Sequence, residues 1–212
     1  MGVITKIEVQ KKNKDRVNIY IDNEFFTGLD LELIYTLKLD KGSMVDDNKL
    51  KEIISKDNFS KAKSKALRIL NKAEQSEKVL RDKLSDFDED TVNEVIEYMK
   101  DSRYLDDKGL AKRIAYSNSN ISRFGKNKIK QNLYKKGIDR DSIEEAISDI
   151  DEDVEFENAL YLGQKRYRSI KNEDKNKIYQ KLSQHLIYKG FSYDITKKVI
   201  STILNDIDYY ED

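Results

Sequence analysis

The chain has 212 residues, 38% of them charged, and its 40 basic residues balance 40 acidic ones. It has no cysteine, which excludes disulfides and thiolate metal sites. No apolar run approaches the roughly 20 residues of a membrane-spanning helix, and the N-terminus lacks a signal-peptide pattern. We therefore expect a cytoplasmic protein that does not bind membranes.

Residues 1–28 show the alternation of apolar and polar side chains that is typical of β-strands. One side of this alternation consists of Val3, Thr5, Ile7, Val9, Val17, Ile19 and Ile21. Turns are predicted at 12–15 and 22–24, and two short helices at 29–39 and 50–54 cover the sheet. This module is either a packing unit or a docking or DNA-contacting appendage. The cations of the second alternative are Lys11, Lys12, Lys14 and Arg16.

From residue 60 onward, apolar residues recur at helical spacing, and the pattern repeats three times. Aligning Phe87, Ile138 and Phe191 gives offsets of 51 and 53 residues. Three sets of apolar positions then fall into register: Val95, Ala146 and Val199; Ile96, Ile147 and Ile200; Met99, Ile150 and Ile203. The sequence therefore predicts three copies of a three-helix unit.

The segments 136–139 and 189–192 have the same layout of Lys, Gly, an apolar residue and a capping residue. A glycine in the left-handed conformation ends one helix, and the apolar residue that follows packs back on that helix. Asp139 or Ser192 then caps the next helix. Hydrophobic staples around an Asp cap are predicted for Phe87 with Val92, Leu105 with Leu110, and Ile138 with Ile143.

These patterns predict a mainly α-helical fold. A small β-meander with short helices (1–58) precedes three helical repeats at 59–105, 106–151 and 152–207, with a tail at 208–212. Because stacked repeats place equivalent faces side by side, we expect an elongated, curved array.

Charge follows the repeats. Residues 103–136 hold ten basic and two acidic residues, whereas 139–157 hold one basic and ten acidic. The same alternation from basic to acidic occurs at 61–102 and at 165–212. Basic residues thus lie on the first two helices of each repeat and acidic residues on the third, so basic faces of neighbouring repeats can merge. The residues alone indicate an anionic polymer as partner.

Three motifs carry a family resemblance. They are Arg103-Tyr-Leu-Asp-Asp with Leu110-Ala111, then Gly125-Lys-Asn-Lys-Ile129, then Leu133-Tyr-Lys-Lys-Gly-Ile138. With the repeats around them, they make residues 60–205 similar to the RecX family of regulators of the RecA recombinase, and the meander resembles the extension of its longer members. Two departures are the absence of Lys-Gly between Leu84 and Phe87, and Arg103 where the family usually has Gly.

The resemblance implies a regulator, mainly an inhibitor, that binds the RecA filament on single-stranded DNA along its groove. It would limit filament growth or stability, and so damp homologous recombination, DNA repair and the SOS response. We expect a monomer. The alternatives are a nucleic-acid-binding helical repeat protein without a protein target, and a helical scaffold whose charges keep it soluble.

The candidate residues for binding the filament or DNA are Arg113, Arg123, Lys126, Lys128, Lys135, Lys136, Lys165, Arg166, Arg168, Tyr134 and Tyr167. Arginine and lysine neutralise phosphates or carboxylates, and tyrosines among them can stack on unpaired bases. Tyr116, Tyr161 and Tyr188 share this setting. The simpler alternatives are solvated cations and half-buried rings at helix contacts.

We predict no catalytic residue, no metal and no cofactor. His185, the single histidine, flanks an apolar stripe and is expected to pack or lie at the surface. The pairs Asp106/Asp107 and Glu144/Glu145 are expected at helix starts, where acidic residues suit the helix dipole.

Overall fold

The computed structural model describes residues 1–210, and side chains up to residue 205. It divides into two compact units, one of residues 1–73 and 80–104, the other of residues 74–79 and those from 105 onward. No helix within the described range is long and apolar enough to cross a membrane.

The first unit begins with a four-stranded antiparallel sheet. Its strands are β1 (Gly2–Val9), β2 (Arg16–Ile21), β3 (Glu24–Asp30) and β4 (Met44–Val45), in the order β3-β2-β1-β4. A two-residue turn joins β2 to β3, and both of its residues, Asp22 and Asn23, have positive φ (49° and 74°). Asp and Asn tolerate this conformation, which matches the twist of a hairpin. The predicted meander and its turn are confirmed.

The alternation predicted for β1 is only partly right. Ile4 is the fully buried residue of this strand, whereas Val3 and Val9 are exposed. The pairing of β1 with β2 shifts between Ile4 and Lys6. Such a β-bulge changes the face on which the following side chains lie, and simple alternation does not predict it.

Helices α1 (Leu31–Thr36) and α2 (Asp47–Leu70) follow the sheet. The predicted short helix at 50–54 is wrong, because α2 continues without a break into the first helix of the first repeat. Residues 55–61 contain no glycine or proline that would stop it. Asp46 caps its start, accepting a hydrogen bond from Lys49 N at 2.8 Å.

The remaining helices follow the predicted repeats. They are α3 (Glu77–Lys83), α4 (Glu89–Asp101), α5 (Asp107–Asn120), α6 (Lys126–Lys135), α7 (Arg140–Ser148), α8 (Glu152–Tyr167), α9 (Lys175–Tyr188) and α10 (Tyr193–Tyr210). Helix α10 thus continues into the segment expected as a tail, of which 211–212 lie outside the described residues. Helix α3 is shorter than α6 and α9, and the chain lacks after it the Lys-Gly pair that follows those two helices.

Each of the last two repeats has its own apolar core. The core of the second is Leu110, Ala111, Ala115, Ile129, Leu133, Ile138, Ile143, Ala146 and Ile147. The core of the third is Ala159, Ile170, Ile178, Leu182, Leu186, Phe191, Val199, Ile200 and Ile203. Buried positions recur at equivalent places in the sequence because each repeat buries the same faces of its helices.

The predicted caps are present. Gly137 and Gly190 have φ of 76° and 94°, and the N–H groups of Ile138 and Phe191 reach back to Leu133 O and Leu186 O, both at 3.2 Å. Arg103, the departure from the usual glycine, adopts the same left-handed conformation with φ of 58°. It ends α4 with an equivalent bond from Tyr104 N to Met99 O at 2.8 Å.

Candidate nucleic-acid interface

The start of α6 is bonded directly to the end of α9, which joins the second repeat to the third. Gly125 N donates to Lys189 O at 3.0 Å, and Asn127 N donates to Gly190 O at 3.0 Å. A β-carbon on Gly125 would lie 2.5 Å from Gly190 C and O. Only glycine permits this approach. The Gly-Lys-X-Lys motif that carries the resemblance therefore also forms a contact between repeats.

Glu155 of α8 completes this contact from the other side. Its side chain is almost fully buried, yet it accepts a hydrogen bond from Lys126 N at 2.9 Å, and its second oxygen lies 3.8 Å from Lys126 Nζ. Next to it, Asn158 Nδ2 donates to Ser119 O at 3.0 Å. A carboxylate at a helix start is stabilised by the free N–H groups and by the dipole there. We call this contact, made by residues 125–127, 155 and 189–190, the joint.

Cations and aromatic rings lie together along the joint. The Arg123 guanidinium lies 3.9 Å from the centre of the Tyr161 ring. Lys189 Nζ lies 5.5 Å from the Phe124 ring, and Lys128 Nζ lies 5.3 Å from the Tyr188 ring. These cation–π contacts hold the charges next to rings that remain partly exposed. We call the three pairs the cation–aromatic seam.

Helical spacing extends the seam over two surfaces. Tyr161 and Lys165 of α8 and Arg168, the αR residue that directly follows this helix, are spaced by four and three residues, so they share one face. On α6, Lys128 and Lys135 are seven residues apart and share another. Lys135, Lys165 and Arg168 are exposed. Five of the predicted cations thus lie in the seam or on the helix faces that continue it. They are Arg123, Lys128, Lys135, Lys165 and Arg168.

Other predicted residues have different surroundings. Arg113 forms a two-pronged ion pair with Glu74, at 2.5 and 3.3 Å. Lys126 is half-buried in the joint through Glu155. Tyr167 packs against the core of the third repeat. Arg166 is exposed, with its guanidinium 3.5 Å from Ser169 Oγ. These four side chains therefore differ in how accessible they are to a binding partner.

A second contact of the same kind involves residues 74–79. Ser76 Oγ donates to Lys136 O at 2.5 Å, and Glu77 N donates to Asp107 Oδ1 at 2.9 Å. Lys136 and Tyr134, at the end of α6, keep exposed side chains. In both places, an acidic residue on the first helix of one repeat accepts a hydrogen bond from a main-chain N–H. That N–H lies at the start of the second helix of the preceding repeat.

The acidic pairs have structural partners. Asp106 caps α5 by accepting Gly109 N at 2.9 Å, and Glu144 pairs with Lys130 at 2.9 Å. Glu145 pairs with Lys112 and Lys108, whose hydrogen bonds lower the pKa of its carboxyl. Across the described residues, no group of His, Asp and Glu side chains has the arrangement of a metal site.

Sequence reasoning did not single out Glu155 or Phe124. Glu155 lies in a run of exposed acidic residues, so composition gives it no distinction. The position of Glu155 in its helix could have indicated that it is buried. Residue 155 falls on the same helix face as the buried Asn158 and Ala159.

Comparison with known proteins identifies a family along nearly the whole chain. The description "Regulatory protein RecX N-terminal domain" matches residues 2–46. The first, second and third three-helix domains of RecX match residues 62–99, 106–147 and 153–200.

Curated relatives and solved structures agree with these matches. A "Regulatory protein RecX" of Clostridioides difficile (strain 630) is 53% identical over 210 residues, which is 99% of each chain. One of Clostridium perfringens (strain SM101 / Type A) is 40% identical over the full length of both. A crystal structure of regulatory protein RecX has a TM-score of 0.77 and 28% identity, covering 94% of this chain and 98% of its own. RecX from Lactobacillus salivarius has a TM-score of 0.66 and 32% identity, over 69% and 96%.

Proposed function

This chain belongs to the RecX family of regulatory proteins, and we propose that it regulates the RecA recombinase without catalysing a reaction. It binds the RecA filament on single-stranded DNA along the filament groove and acts mainly as an inhibitor, limiting filament growth or stability. By doing so it damps recombination and the SOS response to DNA damage. It acts in the cytoplasm as a monomer and needs no cofactor.

The observation that carries this proposal is a set of cations left without carboxylate partners. Within residues 1–205, whose side chains are described, no ion pair occupies Arg123, Lys128, Lys135, Lys136, Lys165 or Arg168. Three acidic side chains in α7 and at its C-terminal end, by contrast, are paired: Lys130 with Glu144, and Lys112 with Glu145 and Asp149. These cations at the seam and on the helix faces that continue it are therefore not neutralised by ion pairs, and they attract phosphates or acidic protein surface.

The second candidate function is direct binding of single-stranded nucleic acid without a protein target. The exposed tyrosines support it, because Tyr116, Tyr134 and Tyr188 are 68%, 51% and 72% exposed. Each lies next to basic residues, which is the composition of a surface on which bases stack. The two functions differ in whether RecA is required for tight binding.

The experiment measures DNA-dependent ATP hydrolysis by RecA, with the protein added in amounts too small to cover the DNA. A filament regulator inhibits under these conditions. A protein that only competes for DNA inhibits when it saturates the DNA, and that result would favour the second candidate function.

Charge reversal then tests the surface. The double variant Lys165→Glu with Arg168→Glu should lose filament binding and inhibition. The matched control is Lys177→Glu with Lys197→Glu, which makes the same charge change at exposed positions of α9 and α10 in the same repeat. Equal loss in both variants would show that net charge, and not this surface, determines binding.

A further inference from the structure

The seam is a composite of two repeats. Each of its three pairs takes its cation from one repeat and its ring from the other: Arg123 with Tyr161, Lys128 with Tyr188, and Lys189 of the third repeat with Phe124 of the second. Neither repeat alone presents this surface. Its geometry therefore depends on how the two repeats are held together.

The joint that holds them is small and polar. It consists of two main-chain hydrogen bonds between 125–127 and 189–190, together with the carboxylate of Glu155, and beside it Asn158 Nδ2 donates to Ser119 O across the same two repeats. Glu155 is only 4% exposed, so its charge is withdrawn from water and is compensated by Lys126 N and Lys126 Nζ. A buried carboxylate with these partners fixes the start of α6 on α8, since removing it leaves an unpaired N–H and an unpaired ammonium group.

We propose that Glu155 is a positioning residue that assembles the binding surface from the second and third repeats. This inference rests on the proposed function, because it concerns the surface that binds the filament. Glu155 acts through Lys126 on the neighbouring Arg123, Phe124 and Lys128, which meet their aromatic or cationic partners only while the joint is closed.

Charge alone predicts the opposite effect of removing Glu155. Replacing it by alanine makes the chain more positive by one charge, which would tighten binding to an anionic polymer if the residue contributed only its charge. Opening the joint would instead separate the cations of the two repeats and weaken binding. The direction of the change therefore distinguishes positioning from simple electrostatics.

The experiment compares wild type, Glu155→Ala, Glu155→Gln and Asp151→Ala. Asp151 caps the same helix, accepting Asp153 N at 2.8 Å, and is exposed. Its replacement matches the charge change near the start of the same helix while leaving the joint intact. Gln keeps the oxygen that accepts Lys126 N–H. Binding to RecA filaments on oligodeoxythymidylate is measured by fluorescence anisotropy at several salt concentrations, and exchange of the Lys126 amide is followed by NMR.

For Glu155→Ala we expect fast exchange of the Lys126 amide and at least about tenfold weaker binding. The slope of log affinity against log salt concentration should be smaller by about 0.7 for each phosphate that the variant no longer neutralises. Glu155→Gln should retain amide protection and most of the affinity, and Asp151→Ala should bind at least as tightly as wild type. Undiminished binding by Glu155→Ala, or a protected Lys126 amide in that variant, would overturn the inference and leave the proposed function standing. Failure of the wild-type protein to bind filaments would overturn the proposed function itself.

Discussion

Gly190 lies directly against the backbone of Lys128. A β-carbon on Gly190 would be 2.3 Å from both Lys128 N and Lys128 Cβ, closer than any side chain tolerates. Gly190 also has a φ of 94°, which L-residues with a side chain rarely adopt. Two independent reasons thus require glycine at this one position, one local to the end of α9 and one imposed by the joint.

The variant Gly190→Ala separates these two reasons when it is compared with Gly42→Ala. Gly42 has a φ of 93°, but nothing lies within 4 Å of the β-carbon that would be added. We expect Gly42→Ala to destabilise by about 1–2 kcal/mol, the cost of the left-handed conformation. Gly190→Ala should cost more, because α6 and α9 must also move apart. Urea unfolding measures both changes.

The local consequence distinguishes the two variants further. Gly190→Ala should accelerate exchange of the Asn127 amide, which donates to Gly190 O, whereas Gly42→Ala should not affect it. Equal destabilisation by the two substitutions, with the Asn127 amide still protected, would mean that the joint accommodates a methyl group.

The repeats were predictable because each one buries the same helix faces. Aligning Phe87, Ile138 and Phe191 placed the third helices in register, and the caps at Gly137 and Gly190 followed from local chemistry. The full length of α2 was harder to predict, because no residue in 55–61 indicates whether the helix ends there or continues. The β-bulge near Ile4 depends on pairing between strands that are distant in sequence, so local alternation does not reveal it.

The candidate site was predictable in composition but not in detail. The charge pattern indicated that basic residues concentrate on the first two helices of each repeat, which holds for α5 and α6 but not for α8, whose first turn carries Glu152, Asp153 and Glu155. It did not distinguish Lys126, which Glu155 holds in the joint, from Lys135, whose side chain is exposed and without an ion pair in the described chain. That distinction depends on tertiary neighbours. A charge reversal at Lys126 would place two carboxylates together in the joint, so tests of binding should avoid it.

Asp139 should stabilise α7 through its cap. Its carboxylate accepts Ser142 N at 2.9 Å, and hydrogen bonds from the Ser142 side chain and main chain lower its pKa below the ordinary 3.8. Asp139→Ala should destabilise by about 1 kcal/mol at neutral pH, whereas Asp139→Asn, which keeps an acceptor, should cost less.

The pH dependence of this effect has a definite sign. The unfolded chain binds the proton of Asp139 more tightly than the folded protein does, so the stabilisation is present above pH 3.8 and is lost as the pH falls through the lowered pKa. The stability difference between Asp139→Asn, which cannot titrate, and wild type should therefore shrink in acid. A difference that is constant across this range would contradict the assignment.

His185 should titrate below its ordinary pKa of 6.5. Burial disfavours its charged form, and the positive charges of Lys189 and Arg166 lower the pKa further. Because the unfolded chain protonates first, the contribution of His185 to stability is present above pH 6.5 and is lost as the pH falls through the lowered value. The chain has a single histidine, so one imidazole NMR signal reports its titration.

Two arginines provide the test and its control. Arg166→Gln removes one of the charges and should raise the pKa of His185, whereas Arg168→Gln, two residues further on, should leave it unchanged. An identical titration midpoint in wild type and Arg166→Gln would rule out an electrostatic contribution from Arg166.

Arg16 should stabilise the first unit instead of contacting DNA. Its guanidinium bonds Asp30 at 2.7 Å and Asp57 at 3.1 Å, and Asp57 is only 3% exposed. Arg16→Ala should destabilise by about 2 kcal/mol, because Asp57 keeps Lys61 but loses its second charged partner. Thermal unfolding followed by circular dichroism measures this loss.

Two comparisons make the assignment of Arg16 testable. Lys14→Ala, in the exposed loop between β1 and β2, should change stability by less than about 0.5 kcal/mol. The double variant Arg16→Ala with Asp57→Asn should recover part of the loss, since an amide is less costly than a carboxylate to leave without its cation. If Arg16→Ala is as stable as Lys14→Ala but binds DNA more weakly, Arg16 belongs to the DNA-contacting alternative for the N-terminal module.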